Sequence, residues 1–158
     1  MALQFRRVVT RHDASGRAIV KIDEIAKNLV SSRPGATSCV VWTSQGFPVD
    51  NTDDEDAGLR KTGTTLDNGT IFRVLELAPG ASPRNHRTDS IDYAVVMSGE
   101  IDMELDGSTV HLKSGDVLVQ RGTIHNWVNR GTVPCVIAFV LIAAKPAEVG
   151  GKVLHAQD

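Results

Sequence analysis

From Thr70 to Ala144 the sequence keeps one cadence: short runs rich in Val, Ile and Leu, each cut off by a pair containing Gly, Pro, Asn or Asp. "TIFRVLEL" ends at Pro79-Gly80, "DYAVVM" at Ser98-Gly99, "EIDMEL" at Asp106-Gly107, "TVHL" at Ser114-Gly115 and "DVLVQ" at Arg121-Gly122. "HNWV" stops at Asn129 to Gly131, and "PCVIAFVLIA" closes the set. Runs this short leave no room for a helix of useful length, and the turn chemistry between them belongs to hairpins. The cadence therefore predicts an all-β antiparallel sandwich or barrel. Within "EIDMEL", Ile101, Met103 and Leu105 share one face and Asp102 and Glu104 the other, as in a strand with one wet side.

The first 60 residues are less regular. "FRRVVTRHDASGRAIVKIDEI" reads as two strands around a turn at Asp13 to Gly16, "KIDEIAKNLV" as a turn or two of helix, and "SCVVWT" as a strand. "PVDNTDDEDAGLRKTGTT" has no pattern and predicts a surface loop in which Asp53 to Asp56 are solvated. The organisation expected is an extension over 1–60, a barrel over 61–146 and a tail over 147–158. The extension is expected to cover exposed strand edges by packing on the barrel or on a second subunit, making a homodimer.

Charge narrows the function classes. Seventeen Lys and Arg against nineteen Asp and Glu give a net charge of -2 over 158 residues, without a basic block, so nucleic acid is not an expected partner. The longest apolar run, Cys135 to Ala144, is short of the about 20 residues of a membrane-spanning helix, and "MALQFRRVVTRHD" lacks the apolar core of a secretory signal. A cytoplasmic location is the default expectation. Cys39 and Cys135 stand apart in apolar runs and read as inert core thiols.

Alternation also gathers chemistry. His86 and Thr88, with Asp92 and Ala94 beyond a bend, are expected to point inward, and His125 and Trp127 share a face of another strand. The spacing Gly80, five residues, His86, one residue, Thr88, three residues, Asp92, six residues, Gly99 resembles the first motif of the cupin superfamily, G(X)5HXH(X)3,4E(X)6G. Gly115, Gly122, His125 and Asn129 resemble the second, G(X)5PXG(X)2H(X)3N. The resemblance covers residues 80–129 and implies a cupin double-stranded β-helix, a jelly-roll barrel over about Thr70 to Ala144. It departs from the pattern in three places: Thr88 replaces a histidine, Asp92 replaces a glutamate, and the second motif is one residue short and lacks its proline, with Gln120 and Arg121 there.

The resemblance implies His86, His125 and, by residue type only, Asp92 as ligands of one divalent transition ion (Fe, Mn, Zn or Ni). Two imidazoles and one carboxylate are a minimal set that leaves positions open. Asp92 is one methylene shorter than glutamate and a threonine hydroxyl is a poor ligand, so a metal-free pocket stays open as the alternative. His12, His111 and His155 read as ordinary hydrogen-bonded groups. Arg73, Arg84 and Arg121 flank the expected mouth, where an arginine needs a carboxylate, either from the chain, such as Glu76, or from a substrate.

The leading expectation is a small-molecule lyase, a decarboxylase of an aromatic, polyketide-like or β-keto acid. His86, His125 and Arg84 do the chemistry in a pocket lined by Arg73, Thr88, Asp92, Gln120 and Trp127. The alternatives are a small-ligand-binding protein without turnover, and a metal-dependent oxygenase using His86, Asp92 and His125.

Overall fold

The computed structural model describes residues 2–158. A hairpin of β1 (Arg6–His12) and β2 (Ala18–Ile25) precedes β3 (Leu29–Arg33) and β4 (Ala36–Gln45). After a single 3-10 turn at Ala57–Leu59 come β5 (Gly69–Leu77), β6 (Ser90–Ser98), β7 (Glu100–Glu104), β8 (Thr109–Lys113) and β9 (Val117–Arg121). The order finishes with β10 (Asn126–Val128), β11 (Cys135–Ala143), β12 (Ala147–Val149) and β13 (Lys152–Leu154).

All named pairings are antiparallel. A six-stranded sheet in the order β3-β4-β5-β11-β6-β9 faces a three-stranded one in the order β10-β7-β8. Period two decides which side chains meet between them. Leu77, Ile137, Val96 and Leu141 come from the large sheet, and Ile101, Met103, Leu112 and Trp127 from the small one, forming one core. Ile71, Leu77 and Ile137 are completely buried, each worth about 1.5–3 kcal/mol of transfer free energy. This is the expected all-β jelly-roll barrel.

The turn at Gly99 joins the two sheets. It sits at φ +75°, and a Cβ built there would lie 2.6 Å from the Pro134 carbonyl oxygen. Left-handed backbone and a backbone clash act together at this position. Gly99→Ala is expected to cost about 2–4 kcal/mol, read from the urea midpoint. An unchanged midpoint would show that the turn relaxes freely.

The front of the chain departs from expectation in two ways. No helix forms in "KIDEIAKNLV". Ile22 and Ile25 lie opposite Val9 and Arg6 in the hairpin, which satisfies the backbone where an isolated helix this short is marginal. The acidic run is not simply solvated either. Asp56 takes two hydrogen bonds from Arg7, at 3.0 and 2.7 Å, and Arg7 is almost wholly buried and also donates to Glu24. Asp54 pairs with Arg11 and Lys21, and Asp53 and Glu55 with Arg60. The loop thus clamps the first hairpin to the barrel through charges that are far apart in sequence. The two strands after the hairpin, β3 and β4, extend the barrel sheet itself. Residues 147–154 form a further small hairpin, and Gln157 pairs with Arg87.

Candidate functional site

His86 and His125 lie outside the named strands but form an antiparallel bridge of their own. Each backbone N–H donates to the other's carbonyl, both at 2.9 Å. Residues directly opposed in such a pair project to the same side, and the two ring centroids stand 4.3 Å apart. The chain thus brings its two motifs together through the backbone, and the side chains follow.

The tautomers follow from the partners. His86 Nδ1 is 3.0 Å from the Arg84 carbonyl and His125 Nδ1 is 2.9 Å from the Thr123 carbonyl. A carbonyl only accepts, so both Nδ1 atoms carry the hydrogen and both Nε2 atoms present a lone pair. Burial dominates the electrostatics. It pushes His86 down to about 4, with the neighbouring His125 and Arg84 adding to the effect, and it lowers His125 as well. Near neutrality both rings are uncharged bases.

That depression fixes a pH dependence. Unfolded histidine takes up its proton near pH 6.5, whereas folded His86 waits until about 4. Between these values the unfolded state binds more protons, so stability falls as pH drops through the window and levels off below it. The loss expected from His86 is about 2–3 kcal/mol. Chemical denaturation at pH 7 and pH 4.5 should show it, and His86→Phe should flatten the slope. The same slope in that variant would place its origin elsewhere.

Alternation from His86 runs through Thr88, Ser90 and Asp92, every one buried, despite a bend at Asp89. Ser90 Oγ donates to Asp92 Oδ1 at 2.6 Å, so the 2.8 Å contact between Thr88 and Ser90 has Thr88 as the donor. Ser90 is the interior residue that the sequence reading missed, although its place two residues before Asp92 marks it. Asp92 is the only buried carboxyl among the described residues. Burial raises its pKa, against the opposing pull of the Ser90 hydroxyl and the Arg73 charge.

Gln120 stands opposite Asp92 in the β6–β9 register. Its amide lies 3.2 Å from His125 Nδ1 and donates to the Thr123 carbonyl, while its buried Oε1 has no partner among the described residues. Trp127 is 5% exposed and meets His125 and Phe139 edge-on. It is a wall of the core that also steadies His125.

Among the described residues no three His, Cys, Asp or Glu side chains converge closely enough to hold one ion. The expected ligand set of His86, Asp92 and His125 is therefore only two-thirds assembled. The rings are paired, but the short Asp92 side chain is taken up by Ser90. A mononuclear centre with three protein ligands does not fit these residues.

The arginines divide. Arg121 points outward on β9. Arg84 pairs with Asp158, and its charge reaches His86, His125, Arg73 and Arg33. Arg73 forms no pair with Glu76 or any other acid among the described residues. Its Nη2 donates to the Gly63 carbonyl at 2.7 Å, and burial lowers its pKa. Of the other histidines, His111 is exposed and bonded to Asp102 at 2.7 Å. Cys39 and Cys135 are free and buried, and burial raises Cys135 to about 11, which leaves it an inert thiol at neutral pH. No helix among the described residues is long and apolar enough to cross a membrane.

The cupin-domain family model matches residues 73–142. The phomopsin biosynthesis cluster protein C' of Diaporthe leptostromiformis is 38% identical across 94% of this chain and 83% of its own length. A cupin-domain-containing oxidoreductase, fogC, of Aspergillus ruber is 33% identical across 92% of this chain and 76% of its own. Among solved structures, the polyketide cyclase RemF of Streptomyces resistomycificus superposes with a TM-score of 0.52 at 19% identity, covering 77% of each chain. The cupin domain of Schizosaccharomyces pombe Cnp3 gives 0.53 at 12% identity over 87% of each. These two likenesses are of fold.

Proposed function

This chain belongs to the cupin-domain family, and from that premise we propose that it is a small-molecule enzyme acting as a lyase on a carboxylic acid. Its substrate in this reading is an aromatic, polyketide-like or β-keto acid, and its reaction a decarboxylation. The observation that carries the proposal is the pair of neutral imidazoles, each with Nε2 free, in an interior that also holds one protonatable carboxyl.

Loss of carbon dioxide sends the C–C bonding pair into the adjoining carbonyl, giving an enolate that must regain a proton at carbon. Free His86 is too weakly basic to be charged at pH 7. A substrate carboxylate beside it favours the imidazolium, because an opposite charge raises a histidine pKa. Binding of the acid therefore arms its own proton donor. Asp92, raised by burial, is the second store of a proton. Arg73, which has no carboxylate partner among the described residues, orients the acid, and Trp127, edge-on to both His125 and Phe139, backs the His125 ring.

Incubation with β-keto and aromatic acids in D2O tests this directly. Carbon dioxide is released and one deuterium enters at the carbon that lost it. If none of these acids is consumed while one of them binds stoichiometrically, the lyase reading is wrong and a binding role without turnover takes its place.

A second reading rests on the names of relatives that are 30–33% identical and called cupin-domain-containing oxidoreductases. Elemental analysis of protein purified without chelator separates it, because one iron per chain would favour oxidation.

Homodimer formation belongs to the same proposal. Strands β3 and β4 pair within the chain's own barrel sheet, and the β1–β2 hairpin is tied to the chain through Arg7 and Asp56. The outer faces of β6 and β9 instead leave Tyr93, Val95, Val117 and Val119 exposed, Val117 at 74%, and a second copy would cover them. Sedimentation should give twice the chain mass, and a monomer at micromolar concentration would refute the dimer.

A further inference from the structure

We infer that the cavity between β3, β4 and residues 58–64 is a binding site for an organic dianion with an apolar body, its acidic groups held by Arg33 and Arg73. The inference rests on the reading above only in taking that dianion to be the substrate.

The cavity has a volume of about 610 Å³, within the range of small-ligand pockets. Its wall carries Arg33, Arg60, Lys61, Arg73 and Arg84 and no aspartate or glutamate. Two of these charges are already answered: Arg60 by Asp53 and Glu55, and Arg84 by Asp158. Arg33 and Arg73 have no ion pair among the described residues and reach only backbone carbonyls, those of Ser82 and Gly63. Lys61 is exposed to water and needs no partner.

Two further atoms point to a missing ligand. Arg73 Nε and Thr62 Oγ1 are both buried, both belong to residues of this wall, and both lack a hydrogen-bond partner among the described residues. Buried donors are nearly always satisfied, and a guanidinium edge beside a hydroxyl suits a carboxylate or phosphoryl group. Burial depresses Arg33 and Arg73, and the charge of Arg84 depresses both further. An anion relieves that cost. One negative charge would leave one arginine unanswered, whereas two match the pair. Val30, Val40 and Leu59 supply the apolar side of the wall, which a bare inorganic ion would leave unused.

The test compares phthalate, benzoate and inorganic phosphate on the full chain, by calorimetry and thermal shift at 0.15 M salt. Phthalate should bind at least about tenfold tighter than either of the others, and Arg33→Gln or Arg73→Gln should bring it down to the level of benzoate. Both side chains are half-buried and neither has an ion pair to lose among the described residues, so each variant should melt close to the parent without ligand, which separates lost binding from lost folding. Thr62→Val gives a milder loss of phthalate affinity. Equal affinity for phthalate and benzoate, or phthalate binding untouched in both arginine variants, overturns the inference. Phosphate binding as tightly as phthalate overturns the organic body. The two proposals fail separately: phthalate binding without turnover of any acid sinks the lyase, and turnover of an acid by a protein blind to phthalate sinks the dianion.

Discussion

Replacing His125 by alanine is expected to lower decarboxylation of the acid by about 10²–10⁴-fold, the usual contribution of a positioned proton-transfer group. The barrel should survive the change. What joins the motifs at this point is the exchange of N–H···O bonds between the backbones of His86 and His125, which alanine keeps. The ring also feels its neighbour. With centroids 4.3 Å apart, the two imidazoles act as a unit, and groups that act together do not lose activity additively. His86→Ala on top of His125→Ala should therefore cost far less than its effect alone. The pH profile supplies a reading that a merely structural role would not move. Loss of His125 removes the neighbour that helps hold His86 down, so His86 should titrate at a higher pH in the variant, visible in its ring proton shifts. Full activity in the alanine variant, with the ring of His86 titrating unchanged, would remove His125 from the mechanism and end the claim that the two rings act as a unit.

Trp127→Ala should be the most damaging single truncation for stability, at about 3–5 kcal/mol. The indole is 5% exposed and lies edge-on to Phe139 at 5.7 Å and to His125 at 5.8 Å. Its removal leaves a void between the two sheets that the strands cannot close without breaking register. For a chain of this size the melting temperature should fall by roughly 6–20 °C. Trp127→Phe should recover most of the loss, since a phenyl ring restores the contact with Phe139. The substitution also frees His125 on one side, so activity should drop in Trp127→Ala even well below its melting point. A truncation that leaves the midpoint within about 1 kcal/mol of the parent would mean that the two sheets do not rely on this ring.

The strand plan was legible because period two and turn chemistry are local. "EIDMEL" shows its buried face within six letters, and β7 buries Ile101 and Met103 as the alternation requires. The spacing around His86 and His125 was equally visible. Ser90 was visible in principle, since it lies on the same alternation, but a polar residue beside an expected bend carried no other signal. The ion pairs of Asp53 to Asp56 were not legible. Arg7 and Asp56 are separated by 49 positions, and no local pattern encodes a partner at that distance.

The order of letters alone determined that this chain becomes an antiparallel barrel with two inward histidines, because pleating puts every second side chain on one face whatever the rest of the molecule does. Tertiary structure alone decided the charges and the partners. It made the two imidazoles neutral, bound Asp92 to Ser90 rather than to the histidines, and left Arg33 and Arg73 without a carboxylate among the described residues. The reason is that desolvation and long-range pairing depend on what surrounds a group in space, and chain neighbours supply only a small part of those surroundings.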